Sequence, residues 1–394
     1  MSSQALTAPE PETKGPYQSG IADPIWPPEP PPGVDAAIYK EYYAGQVERQ
    51  RFLHAVFADL RAGSTGELIA ALKNLTYLAR HQMERKPPPL RPLDPPPVNR
   101  KVSVTIGFGA TLFTTIHGDD RFNLAALRPN ALKIMPSFAG DEGFRPAEQA
   151  TDLVVLIASD DSYVNEYILG LILYGNVDPN IVVRRVERGY ARPDSREPSG
   201  FEDGITNPKN LSADRQLDEF VFVQDGDPEP DWCVGGTYLA YRKIRRRMDK
   251  FFKMTAPDQE AVFGVDKKTG LRHAVHPDDS HGPKMNPRRE APDFTGTLDA
   301  SRHFFRRPYF FDDGLDASGG ELRGLHHVSF VRNLTTQYEW PVLLWQTNPN
   351  FPKEGTGMDA LYARGGAANI GGGYYFIPAA AQSADDYIGS GLFR

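Results

Sequence analysis

Cysteine is almost missing from this chain: its 394 residues include one, Cys233. A single thiol excludes an intrachain disulfide framework and any cysteine-rich metal site, and it fits a reducing compartment. Long apolar runs are missing too. No stretch reaches the roughly 18 apolar residues of a membrane-spanning helix. The opening MSSQAL has neither the basic nor the apolar segment of an export signal, and no twin-arginine pair precedes a hydrophobic stretch. A cytoplasmic protein with no membrane partner is therefore expected. Positive charge is in deficit: the net charge is −7, which gives nucleic-acid binding no electrostatic support. The basic run 242–247 (RKIRRR) is local and reads as the solvated start of a helix. The segment Gly107-Phe108-Gly109 lacks the third glycine of a dinucleotide fingerprint, which sets aside that cofactor.

What is present is ordinary for a globular chain, with 40% hydrophobic and 24% charged residues. The length allows two or three domains and ample core. Residues 1–48 are crowded with proline around Trp26 and read as an extended arm. A second proline-rich passage, 87–97, connects a helix to a strand. Between them Phe52 to Leu60 reads as a strand. Ser64 and Glu67 form a capping-box pattern, and Leu68, Leu72, Leu75 and Ala79 share one helical face. Val102, Val104 and Ile106 alternate as a strand with one buried face, 153–158 is a continuous apolar strand, Val164, Tyr167, Ile168 and Leu171 mark a second helix, and 181–186 a fourth strand. The order β-α-β-β-α-β is that of a ferredoxin-like unit. The second half echoes it: strands at 236–244, around Phe304, at 326–331 and at 374–378, helices at 246–254 and 336–345, and an insertion at 264–301. The expected fold is α+β: two ferredoxin-like units with antiparallel sheets. The expected domains are an arm at 1–48, an N-terminal unit at 49–215 and a C-terminal unit at 216–394.

Three segments carry chemistry. In 200–208 (GFEDGITNP) glycines flank an acid and permit close backbone approach, so Asp203 can face a cavity; the plainer reading is a polar loop. In 280–288 (SHGPKMNPR) His281 heads a proline-interrupted segment. In 304–307 (FFRR) two cations follow two aromatics. An acid, a histidine and an arginine in such settings are the minimum kit of a haem peroxidase: a ligand for iron, a proton carrier and a fixed positive charge.

The chain resembles the dye-decolorising peroxidases, over about residue 52 to the end. Residues 104–109 (VTIGFG) resemble the family's TFGFG strand and 135–142 (MPSFAGDE) its PSFPGDE loop. Residues 200–204 match GxxDG, 280–288 are similar to AHIRKxNPR, 304–307 to ILRRG, and 371–378 (GGGYYFIP) to GGGYFFxP. The resemblance implies haem b held by the C-terminal unit and hydrogen peroxide as oxidant. Phenols, dyes or other bulky reductants would be the donors, with porphyrin handling of a deferrochelatase-like kind as the alternative. It implies His281 as the iron ligand, Asp359 as the acid accepting that imidazole's second N–H, and Asp203 with Arg306 as the catalytic pair on the opposite haem face. Arg306 also contacts the cofactor, and Arg307 is left to ion pairing. An aspartate rather than a histidine as base implies an acidic optimum. A homo-oligomer and encapsulation stay open.

Some alternatives remain. Asp359 also suits a helix N-cap. Leu325 and His327 stand in 324–330 (GLHHVSF) where GLLFxxF is usual, so His327 replaces a pocket phenylalanine. It either faces the haem, as an acid–base group or a sixth ligand, or points to the other face of its strand. Pro308 stands where glycine is usual and removes a backbone donor. Of the other histidines, His54 and His117 read as structural or surface groups, His81 as a helix-end cation, and His273 and His276 as loop residues. Trp232, Trp340, Trp345, Tyr374 and Tyr375 are candidate electron relays, with core packing as the plainer reading of each.

Overall fold

Apolar residues on both sides of successive strands determine this architecture. The computed structural model describes residues 17–23, 35–36, 49–83, 101–174, 177–192, 196–201, 207–208, 216–287, 289–293 and 295–394. Most of the proline-rich arm and the 87–97 connector lie outside them. Among the described residues the N-terminal half holds strands β1 (Phe52–Leu60), β2 (Ser103–Gly109), β3 (Leu153–Ser159) and β4 (Ile181–Tyr190). The C-terminal half holds β5 (Thr237–Arg246), β6 (Phe305–Arg306), β7 (Tyr309–Leu315), β8 (Glu321–Val331) and β9 (Ala367–Ile377).

All their pairings are antiparallel. The order is β4-β1-β3-β2 in one half and β9-β5-β8-β7 in the other. The expectation of a mixed α and β fold with antiparallel strands holds. The sheets, however, are not separate. β2 pairs with β9 at Phe108–Phe376 and Gly109–Tyr375, and β4 pairs with β7 at Tyr190–Phe310. The edges of one sheet thus meet the edges of the other, and the eight long strands close into a barrel. Closure leaves no exposed edge among them.

A closed barrel has two buried surfaces. Leu53, Ala55, Phe57, Val154, Leu156, Leu239, Tyr241, Val328, Phe330, Tyr375 and Ile377 fill the interior. The alternate residues lie under helices outside: Val56, Ile106, Phe108, Val155, Ile157 and Phe376 join one outer cluster. This is why β2 is buried at all seven positions rather than on one face. Gly107 marks the tightness of the interior, since a Cβ there would lie 2.5 Å from Ile377 Cδ1. Residue Ile21 of the arm joins the interior cluster, and the Gln18 side chain bonds the Ile106 backbone and the Pro378 carbonyl at 2.8–3.0 Å. Arg307 donates to the Gly20 and Ile21 carbonyls and to Gln50. Its partners are therefore neutral oxygens, not the carboxylate expected of an ion-pairing arginine.

Helix α1 (Thr65–Met83) buries Leu68, Leu72, Leu75 and Ala79 as its spacing predicts. Ser64 Oγ accepts from Glu67 N at 3.3 Å, while Glu67 reaches back to Gly63 N at 2.6 Å. Helix α2 (Ser162–Leu173) is capped by Asp161; Val164 and Ile168 are buried as expected, Tyr167 stays exposed, and Asn165, Leu169 and Ile172 complete the buried face. In the C-terminal half the run 242–247 belongs largely to β5, not to a solvated helix. Arg242 and Arg246 are 2% and 5% exposed, paired with Asp141 and Glu197; charge led the sequence reading outward, but buried carboxylates hold it in. The predicted 246–254 helix is present only as the single turn Met248–Phe251; the longer helix there is α3 (Ala256–Phe263), just beyond that range, and β7 had no counterpart. Two π-helical turns, Thr335–Glu339 and Pro341–Gln346, occupy the predicted 336–345 helix.

His326 is buried by this closure, and His54, on the outer face of β1, is buried against helix α2, where it pairs with Glu166. His326 fills the barrel interior, its Nδ1 2.8 Å from Tyr241 Oη and its Nε2 3.1 Å from the Arg188 carbonyl. Burial, reinforced by Lys243, pushes its pKa down to about 3; burial likewise takes His54 to about 4. The unfolded chain therefore binds more protons than the folded one below the ordinary histidine value. Stability should fall as pH drops from about 6.5 toward 4, by a few kcal/mol. Urea unfolding across that window should show the decline, and His326→Phe should make it shallower; an unchanged slope would count against the His326 contribution.

Candidate active site

His281 opens the short helix α4 (His281–Met285) directly after Ser280. Its Nδ1 lies 2.8 Å from Asp359 Oδ2, and Asp359 is completely buried while the imidazole is 31% exposed. With the proton on Nδ1 directed at a carboxylate, Nε2 is left as the nitrogen able to bind a metal. The same carboxylate caps helix α5 (Ala360–Ala363), Oδ1 accepting from Leu361 N at 2.8 Å. The cap and the imidazole partner, alternatives in the sequence, are one group. Lys284, one turn on and 1% exposed, donates to the carbonyls of Asn348, Phe351 and Gly357. All three ammonium protons are thereby used, and the loop leading to Asp359 is tied to α4.

The other side of the site is built on the outer face of β8. Strand alternation sends His326 into the barrel, so His327 takes the opposite face with Leu325 and Ser329. Leu325 packs against the outer cluster of Phe201, Ile244, Phe251, Val262 and Ala360, to which Phe263, in ring contact with His281, also belongs. Cross-strand register places Arg242 opposite His327 and Arg306 opposite Ser329. His327 Nε2 bonds Ser329 Oγ, and its ring meets those of Phe304 and Tyr338 at 6.3 and 5.9 Å. Loss of solvation, then Arg306, Arg242 and His281, hold its pKa down at about 3. His327 is thus a neutral imidazole flanked by cations, on the site's side of its strand.

Asp203 lies outside the described residues, but both ends of its loop are within them. Phe201 is 1% exposed and stacks on Phe263 at 4.2 Å. At the far end Asn207 clamps the Arg306 backbone twice, accepting from its N at 2.9 Å and donating to its carbonyl at 2.8 Å. The 200–208 loop therefore spans from the neighbour of His281 to Arg306. Sequence reading missed Asn207, Lys284 and Arg242. The first two lie inside recognised motifs, where their spacing from Arg306 and His281 gives no hint of the contact; Arg242 was misassigned with its basic run.

Among the described residues no group of three or more His, Cys, Asp or Glu side chains can hold a metal ion. One oriented imidazole suits a metal whose other ligands come from a macrocycle, not a bare ion needing three or four protein ligands. Of the candidate relays, Tyr375 lies inside the barrel bonded to Thr151 at 2.8 Å, whereas Tyr374 meets Tyr338, the ring neighbour of His327, at 5.9 Å. No helix among the described residues is long and apolar enough to cross a membrane.

The chain is 28% identical over 320 residues to the deferrochelatase of Escherichia coli O157:H7, covering 74% of this chain and 69% of that one. A DyP-type peroxidase from Cellulomonas bogoriensis superposes with a TM-score of 0.68 at 21% identity, over 97% of both chains. Ferric DtpA from Streptomyces lividans gives 0.67 at 24% identity, over 96% of this chain and 98% of that one. Residues 46–191 match the model of the Dyp-type peroxidase N-terminal domain and 194–382 that of the C-terminal domain, so the chain belongs to the Dyp-type peroxidase family and is an oxidoreductase of the peroxidase class.

Proposed function

We propose that this chain is a haem b peroxidase that reduces hydrogen peroxide and oxidises phenolic, dye-type or other bulky donors by one-electron steps. The hydrogen bond from His281 to buried Asp359 carries the reading, because it fixes the one imidazole nitrogen that iron requires. Haem, when bound, supplies the redox chemistry. In this reading the C-terminal unit holds it, with His281 on the iron and Leu325, His327 and Arg306 against the ring. Each half is read as a ferredoxin-like unit, 49–215 and 216–394, behind an arm at 1–48, in a cytoplasmic protein.

The chain's own part is positioning and proton handling. Asp359 orients His281 and strengthens it as a donor. Asp203 takes the proton from one peroxide oxygen and delivers it to the other. Arg306, its backbone held by Asn207, offers fixed positive charge to the negative charge that develops as the O–O bond breaks and the protonated oxygen departs as water. Large donors that cannot reach the iron would pass electrons through Tyr374 and Tyr338. The relative named deferrochelatase favours a second reading, porphyrin handling such as iron removal. Retention of intact haem through repeated turnover with peroxide would separate the two.

Replacing His281 by Ala should abolish or alter haem binding, seen as loss or displacement of the main haem absorption band. Asp359→Asn should weaken haem affinity by roughly 10–100-fold while the band shape changes little. Wild-type haem affinity in His281→Ala would remove the assignment. Arg306→Leu should lower the rate constant for reaction with peroxide about 100-fold without loss of haem. If Asp203 is the base, donor oxidation should peak below neutrality, since an unperturbed aspartate titrates near about 3.9 and histidine near about 6.5. A steady-state profile peaking at or above neutrality for every donor would reject that role.

A further inference from the structure

His326 and His327 are adjacent, both lie within the protein, and their surroundings differ in kind. His326 is a fully satisfied core residue, each nitrogen bonded, to Tyr241 and to the Arg188 carbonyl. His327 has one nitrogen engaged, Nε2 with Ser329 Oγ; Nδ1 has no partner among the described residues, and the side chain keeps accessible surface where Val328 and Ser329 beside it keep almost none. A packing role does not account for this. A phenylalanine would fill the space between Phe304 and Tyr338 without placing a polar nitrogen there.

Resting on the peroxidase reading, we propose that His327 is a further catalytic residue: a second proton acceptor that takes a proton from hydrogen peroxide beside Arg306. In the tautomer whose Nε2–H donates to Ser329, Nδ1 carries the free lone pair. The step is a proton transfer alone. One O–H bond of the peroxide breaks, an N–H bond forms on Nδ1, a hydroperoxide anion and an imidazolium result, and no electron moves. Among the described residues, the charged groups that bear on His327 suit this assignment. Arg242 on β5 faces it across the sheet, Arg306 on β6 stands opposite its Ser329 partner, His281 on α4 adds to both, and the Tyr338 ring lies tilted against it. Loss of solvation, with the two guanidinium groups beside it, keeps the imidazole unprotonated before peroxide arrives. Once an anion forms between them, the same charges stabilise it. The residue is thus held in its basic form at rest, and the arginines share the charge that its action creates.

The test uses the full-length, haem-loaded protein with His327→Phe and His327→Gln; the first keeps the packing, the second keeps hydrogen bonding without proton uptake. Rate constants for reaction with peroxide would be measured by rapid mixing between about pH 5 and pH 8, where the wild-type imidazole stays neutral. Cyanide, a weak acid that must release its proton to bind iron, would be followed in parallel by association rate. Both variants should lose about 10- to 100-fold in both rates throughout that range, with haem content unchanged. Wild-type rates in His327→Phe, or full recovery in His327→Gln, would overturn the proposal. So would a low-spin wild-type spectrum that turns high-spin in His327→Phe, which would make the residue an axial ligand instead. Failure of the underlying peroxidase reading looks different: the wild type itself would bind no haem or ignore peroxide.

Discussion

Closure of the barrel is the constraint from which the rest follows. It depends on short seams, two registered pairs between β2 and β9 and one between β4 and β7. Once those seams close, the inner face has no solvent to meet and must be filled. Phe57, Tyr241, His326 and Tyr375 do so, with Gly107 where no side chain fits. A filled interior cannot hold a cofactor the size of a porphyrin. The side chains of the candidate site, His281, His327 and Arg306, lie instead outside the barrel in the C-terminal half, on α4, β8 and β6.

That displacement explains the charge pattern. Strand register, not loop geometry, sets Arg306, Ser329, His327 and Arg242 on a single surface, and rigid elements hold such positions better than loops do. Each cation is stabilised by a different device. Arg242 has Asp141 and lies over the rings of Phe138 and Tyr362 at 5.5 and 5.9 Å, whereas Arg306 is fixed through its backbone by Asn207. Buried charge is tolerated only when paired or hydrogen-bonded. A surface that gathers several cations therefore recruits carboxylates and amides from loops distant in sequence.

Much of this was legible in the residues. The capping pattern at Ser64 and Glu67, the apolar runs of β1 and β3 and the motifs around His281 and Arg306 all lie close in sequence, where composition and spacing are read directly. What could not be read is non-local. Nothing in the run 242–247 announces Asp141 and Glu197 as partners, so burial of Arg242 and Arg246 was missed. The edge pairings that close the barrel involve a handful of residues with no sequence signature. The side on which His327 lies depends on the parity of β8, and a one-residue slip would exchange it with His326. Asp359 showed a different limit: cap and imidazole partner were posed as alternatives, whereas a carboxylate has two oxygens and here uses one for each.

The pair at 326 and 327 shows how one strand divides a single chemical type between two tasks. Both imidazoles are held neutral, and by the same leading cause, loss of solvation. Inside the barrel neutrality is a consequence of packing: Tyr241 and the Arg188 carbonyl take both nitrogens, and no ligand can reach them. Outside, Arg306 and Arg242 add to the loss of solvation while Nδ1 remains unengaged. A neutral imidazole with a free lone pair is a base, whereas one with both nitrogens bonded is a strut. What separates the two is not their pKa but whether hydrogen bonding has exhausted the ring, and the two-residue period of β8 decides which histidine is which.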